Sequence, residues 1–250
     1  MLIVGGCAGS GDTRRPPATQ PAAVAPSAER DPEAVAIVEA SLAAMGGRDA
    51  WNEARVLTWV FFGRRRLYWD TWTDDIRIES DVDGVRVIAV MNLGTGEGRI
   101  WRDGAPVTDP EEIASGLALA RRTWINDSYW LVMPYKLLDP GVRLRYVGEA
   151  GNSDGPTDVI EVTFDNVGLT PGNKYQVYFS QRSGLVSEWA FFERATDESP
   201  KFVMPWREWL PYGPILLSGD RGEGQLTGIA VFDETDPLYA VFSTPPTPKG

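Results

Sequence analysis

From Val56 onward the sequence is a succession of short apolar segments broken by turn residues, and this pattern limits the fold more than any other feature. VLTWVFF, RLYWDTW, DIRIES, VRVIAVMNL and GRIWRDG follow one another, with Asp83-Gly84 and Asp103-Gly104 at the corners. Antiparallel neighbours joined by tight hairpins require that arrangement. After residue 141 the same style resumes in VRLRYVGE, DVIEVTFDN, NKYQVYFS, LVSEWAFFE, PILLSG, LTGIAVFDE and LYAVFS, with Pro171-Gly172 and Ser183-Gly184 as further turns. The pattern predicts about eleven strands. FVMPWREW is ambiguous, because Pro205 cannot donate to a ladder and demotes it to an edge or a bend. So many short strands with tight turns favour a strongly curved sheet or barrel.

Two helical patterns frame and interrupt the strands. Asp31-Pro32-Glu33 supplies an N-cap, a proline at the first helical position and an early acid. Val35, Val38, Leu42 and Met45 then recur at helical spacing, Gly46-Gly47 ends the run, and RDAWNEA (48–54) adds a short turn. In mid-chain, Thr108-Asp109-Pro110-Glu111-Glu112 starts a second helix with Ile113, Leu117, Ala120 and Trp124 on one face. NDSYWLVMPYKLLDPG (126–141) reads as a further short helix, capped at Asn126 or Asp127 and ended by Pro134. Its Tyr129, Trp130, Leu131, Val132 and Met133 are apolar nearly all round, so a flat sheet face could not cover them and a concave partner is expected.

Residue types exclude much chemistry. There is no histidine in 250 residues and one cysteine, which removes Ser-His-Asp and Cys-His nucleophiles, HExxH sites and sulfur-rich zinc sites. GTGEG (94–98) has the wrong spacing for a dinucleotide loop and leads into a strand, so it reads as a hairpin loop. DVDG (81–84) lacks the later ligands of a calcium loop. No catalytic motif, metal site or cofactor site is visible, and the chain is expected not to be an enzyme. With 24 Lys and Arg against 35 Asp and Glu, the net charge of -11 repels a phosphate backbone, so nucleic acid is not an expected partner. No apolar run approaches the roughly 20 residues that span a bilayer as a helix.

Ten tryptophans carry two readings. Each buries on the order of 150 to 250 Å², so packing alone accounts for Trp51, Trp59, Trp69, Trp72, Trp101 and Trp189. The alternative is that some line an apolar cavity beneath the helical segment, beside the soft side chain of Met133.

MGGRDAWNEAR, YWDTWTDDIRIE, NDSYWLVMPYKLLDPGV, NKYQVYFSQRSGLVSEWAFFE and the PYGPILL run resemble a group of bacterial lipoproteins near the periplasmic lipoprotein carriers LolA and LolB. The resemblance covers about residues 33–243. It implies a mainly β (α+β) fold, a curved antiparallel half-barrel of about eleven strands with a helical lid over a cavity that takes acyl chains. On that picture residues 31–244 form one domain and 245–250 a C-terminal tail. Residues 110–138 form the lid, with Trp124, Trp130, Met133 and Leu137 facing Trp59, Phe61, Trp69 and Ile88, and Leu117 completing the cavity. A carrier lid should be held by contacts an acyl chain can replace, not by a salt-bridge network.

Cys7, the lone cysteine, is either a stray residue near the terminus or a modification site. IVGGC (3–7) resembles a bacterial lipobox, whose cysteine is acylated and becomes the mature N-terminus. Residues 1–7 are then the remnant of a lipoprotein signal peptide. Residues 8–30, rich in Ala, Pro, Gly and Ser, form a disordered tether reaching roughly 25 to 75 Å. Few apolar residues precede Cys7, against about 7 to 15 in a signal peptide, so translation is expected to begin upstream of Met1. Ala8 rather than Asp follows the cysteine, which implies the outer membrane, facing the periplasm, as the site of anchoring.

The reading is therefore a lipid-anchored, monomeric envelope protein that carries or accepts lipid or lipoprotein acyl chains. One alternative is an envelope scaffold or sensor whose barrel is filled by side chains. Another is a carboxylate-dependent hydrolase with Asp70 beside Trp69 and Trp72, although strand alternation puts Asp70 and Trp69 on opposite faces.

Overall fold

The structure is a computed structural model in which residues 29–246 are described. Cys7, the signal-peptide remnant, tether residues 8–28 and the last four residues of the tail lie outside them.

The first helix, α1 (Pro32–Ala44), starts where its cap residues require. The Asp31 carboxylate accepts from the Glu33 amide at 2.9 Å, and Pro32 occupies a position that needs no donor. Gly46 follows at φ 112°, and a Cβ there would lie 2.7 Å from the Pro214 carbonyl oxygen, so only glycine turns the chain into α2 (Gly47–Glu53). Strands β1 (Val56–Phe61), β2 (Arg65–Asp70), β3 (Asp75–Val82), β4 (Val85–Asn92), β5 (Gly98–Arg102) and β6 (Ala105–Pro106) then form a meander. Asp83-Gly84 and Asp103-Gly104 sit at positive φ in its turns, as type I′ hairpins demand.

After the helix α3 (Pro110–Lys136) come β7 (Val142–Asn152), β8 (Gly155–Phe164), β9 (Lys174–Ser180), β10 (Val186–Phe192), β11 (Phe202–Pro205), β12 (Arg207–Tyr212), β13 (Ile215–Arg221) and β14 (Gly224–Phe232). They complete two antiparallel sheets. One has nine strands in the order β12-β13-β14-β1-β2-β3-β4-β5-β6, the other five in the order β11-β10-β9-β8-β7, and neither closes into a barrel. The ambiguous FVMPWREW is both strand and bend: β11 ends at Pro205, Trp206 donates its amide to the Ser187 carbonyl, and β12 continues in the other sheet. LYAVFS is not a strand. Asp236 caps the Leu238 amide and Pro237 opens a 3₁₀ helix (Pro237–Phe242).

The mid-chain helix also departs from the sequence reading, being one continuous helix of 27 residues instead of two. Asn126 and Asp127 do not cap. Asp127 is fully buried and accepts two hydrogen bonds from the Arg65 guanidinium, at 2.5 and 3.0 Å. Pro134 does not end the helix either. It removes the amide that would serve the Trp130 carbonyl, and the Arg221 Nη2 donates to that oxygen at 2.7 Å instead.

α3 is apolar nearly all round in its second half because it is shared by two cores. Leu131, Val132 and Tyr135 pack with Leu57, Trp59, Leu67 and Ile76 of the nine-stranded sheet. Met133 and Leu137 pack with Ile160, Val177, Phe179 and Trp189 of the five-stranded sheet, joined by Ala34 and Val38 of α1. Trp130 touches both cores.

A candidate apolar ligand cleft

Register decides which of the sequence candidates meet. Trp59 pairs with Leu67, Leu67 with Ile78, and Ile78 with Ala89, so these residues share the face that α3 covers. Trp69, partnered by Leu57 and Ile76, lies on the same face. Ile88 pairs with Glu79, one step out of phase, and so lies on the opposite face; it does not face Trp59.

Trp59, Phe61 and Trp69 are buried core residues, as are Met133 and Leu137 in the second core. Leu117 lines an open groove with Met91, Ile113 and Arg121 beside the first half of α3. Of the nine proposed cavity residues, Trp124 and Trp130 line a half-enclosed apolar cleft of about 300 Å³. That cleft lies between α3 and the five-stranded sheet. Its other walls are Tyr129, Val142, Phe164, Tyr175 and the β8–β9 loop with Val167 and Leu169. Asn126 and Ser128 contribute near one end, and Lys136 and Asp139, paired at 2.7 Å, near the other.

The aromatic walls hold one another. Tyr129 packs against Phe164, Tyr175 and Trp189, and Trp124 meets Trp69 edge to face at 5.1 Å. Burial raises the Tyr129 phenol well above its ordinary pKa, with Tyr175 and Asp139 adding to the effect, and raises that of Tyr175 to about 12. Both therefore stay protonated donors. The buried Trp124 Nε1 has no hydrogen-bond partner among the described residues.

The sequence reading missed the cleft's far wall. The signal was present in DNVGLTPGN (165–173), a loop that places Val167 and Leu169 on the surface, with Leu169 45% exposed. It also missed how firmly α3 is held. Beside the expected replaceable contacts, α3 carries one buried ion pair, Arg65–Asp127. Further ties come from Arg221, from Arg121 donating to the Leu93 carbonyl, and from the Tyr135 hydroxyl, which lies 2.9 Å from the Met45 carbonyl oxygen and 2.8 Å from that of Leu216.

Asp70 is fully buried on the far face of the sheet from the cleft and accepts four hydrogen bonds, from the Trp72 and Thr73 amides, Arg55 Nε and the Tyr239 hydroxyl. Its oxygens are fully employed in joining the β2–β3 turn to the C-terminal 3₁₀ helix. No cluster of metal-ligating side chains is found among the described residues, and no helix there is long and apolar enough to cross a membrane.

Fold and cleft together define an open, two-sheet antiparallel β protein with a long helix packed against both sheets. No protein-family model matches the sequence, and no curated protein matches it. Among solved structures the chain is similar to a DUF1329 family protein from Desulfovibrio piger, at 11% identity and a TM-score of 0.43, covering 82% of this chain and 96% of that one. It is also similar to a putative outer membrane lipoprotein-sorting protein domain from Vibrio parahaemolyticus, at 12% identity and a TM-score of 0.40, covering 84% and 98%.

Proposed function

We propose that the protein is a non-enzymatic lipid-binding domain of the bacterial envelope, a carrier or acceptor of acyl chains, anchored through an acylated Cys7 in the outer membrane and facing the periplasm. The observation that carries this reading is the cleft between α3 and the five-stranded sheet. It is apolar, walled by rigid aromatics and open to solvent along one side. An apolar surface of that shape suits an alkyl chain. Native mass spectrometry of the protein purified from a bacterial envelope tests the reading: co-purifying lipid, lost when Leu169→Asp places a charge in the wall, is the expected result. A lipid-free protein that also fails to take up added lipid would end it.

The scaffold reading keeps one specific support. α3 is tied down by a buried ion pair and by Arg221, and seven of the nine proposed cavity residues lie outside the cleft. If the protein binds lipid, the ligand therefore enters beside a fixed α3, through the β8–β9 loop, and does not lift a lid.

A further inference from the structure

Away from the cleft, beside the β1–β2 turn, an open groove of about 390 Å³ is lined by Arg64, Arg65, Arg66 and Arg86, with Glu79 and Asp81 as its carboxylates. Arg66 pairs across the strands with Glu79 and Arg86 with Asp81, which puts these four on the sheet face turned away from α3. The acids there are already engaged. Glu79 accepts from Arg77 Nε at 2.7 Å and from Arg86 Nη2 at 3.0 Å, and Asp81 accepts from the Gly84 amide at 2.8 Å. Arg65 is held by Asp127. The side chains of Arg64 and Arg66 make neither an ion pair nor a hydrogen bond among the described residues. Arg66 is nevertheless half-buried, its guanidinium lying over Gly228 of β14, where a Cβ would stand 3.2 Å from Nη2. Burial and Glu79 raise the pKa of the neighbouring Tyr68 phenol while Arg66, Arg77 and Arg86 pull it down, so three guanidinium groups converge on one part of this face.

We infer that the groove is a binding site for a dianionic phosphate group, with Arg64 and Arg66 as its main donors and Arg86 adding the nitrogens that Glu79 leaves free. A single carboxylate is satisfied by one guanidinium fork. Two unpaired arginines beside a third that is only partly used match a group with about two negative charges and three acceptor oxygens. That excess of positive charge stands out on a chain whose net charge is -11. The phosphate belongs either to a lipid head or to a soluble phosphate ester, and the chemistry of recognition is the same for both. The inference does not rest on the cleft or on acyl-chain binding.

Two measurements on the full chain carrying Cys7→Ser, which removes any acyl anchor, test this. The first is calorimetric titration with inorganic phosphate at low ionic strength, with acetate as the comparison anion. The second is co-sedimentation with phosphatidylcholine vesicles with and without phosphatidic acid. Phosphate is expected to bind one to one and more tightly than acetate. Arg64→Gln and Arg66→Gln should each weaken it about tenfold with an unchanged thermal midpoint, as loss of a charge-assisted hydrogen bond implies. Arg99→Gln, which removes a guanidinium lying over Trp101 outside the groove, should leave it unchanged. An acidic chain is repelled by an acidic vesicle. Sedimentation that requires both phosphatidic acid and the two arginines therefore assigns the phosphate to a lipid head, and phosphate binding without sedimentation assigns it to a soluble ester. Absence of binding in both measurements, binding unaffected by Arg64→Gln and Arg66→Gln, or equal affinity for acetate and phosphate overturns the inference. If Arg66→Gln does not fold, Arg64→Gln on the exposed turn decides alone. Lipid binding in the cleft stands or falls separately.

Discussion

The guanidinium of Arg221 lies 3.5 Å from the ring of Trp206, fully buried, and makes no ion pair among the described residues. Its charge is held by the Trp206 face, by Ser218 Oγ at 2.9 Å, and by carbonyl oxygens of Ser218, Asp220 and Trp130. Burial depresses its pKa well below the ordinary value, so the site costs desolvation that these contacts offset. Replacing Arg221 by Met leaves the Trp130 carbonyl without any donor, because Pro134 supplies none. Arg221→Met is expected to lower stability by about 2 to 3 kcal/mol in urea unfolding. Adding Pro134→Ala to that variant restores the helical amide and should recover about 1 kcal/mol more than the same change recovers in the wild type. Equal effects of Pro134→Ala in the two backgrounds would show that Arg221 is not the proline's substitute.

The Arg65–Asp127 pair gives a second prediction. Asp127 is fully buried and Arg65 reaches it with two donors, while the same guanidinium rests 5.0 Å from the Phe61 ring. Asp127→Ala strands the arginine and is expected to cost about 3 to 5 kcal/mol. Arg65→Met with Asp127→Leu should cost clearly less than the sum of the single changes. Additive losses in equilibrium unfolding would show that the two residues act independently.

Trp130 is wedged between the sheets, against Phe61, Phe62, Trp189 and Phe202. Trp130→Ala is expected to destabilise by about 3 to 5 kcal/mol, as for a fixed core aromatic. A loss below about 1 kcal/mol in thermal or urea unfolding would mean instead that the ring lines an adjustable pocket.

Asp70 is expected to matter for stability alone. Asp70→Ala leaves Arg55 without one of its two carboxylate partners and the Trp72 and Thr73 amides without an acceptor, so about 2 to 4 kcal/mol should be lost. Turnover of a glycoside, ester or phosphate substrate by the wild type, abolished by the milder Asp70→Asn, would contradict the non-enzymatic reading.

For Cys7 the expectation concerns attachment. Expression from an upstream start in a Gram-negative host with labelled palmitate should label the wild type and leave Cys7→Ser unlabelled and soluble. Equal labelling of the two would end the lipoprotein reading.

Local signals in this chain were legible because their physics is local. The caps at Asp31 and Asp109, the Asp-Gly hairpins and the antiparallel meander follow from groups within a few residues of one another. The apolar band of α3 likewise announced that something concave must cover it. Tertiary structure alone decided what covered it. Asp127 could have capped a new helix and Pro134 could have ended one, but Arg65, 62 residues earlier, and Arg221, 91 residues after Trp130, satisfied the groups concerned and kept one helix running between two sheets. Strand register, set by hairpin geometry together with the burial of one face, sent Ile88 to the far face while leaving Trp59 and Trp69 beneath α3. The cleft owes its position to the same cause: Trp124 and Tyr129 come from α3, but Phe164, Leu169 and Tyr175 reach it only because β8 and β9 pair in the second sheet. Contacts between residues far apart in the chain leave no periodic trace in the sequence, and the cleft is made of such contacts.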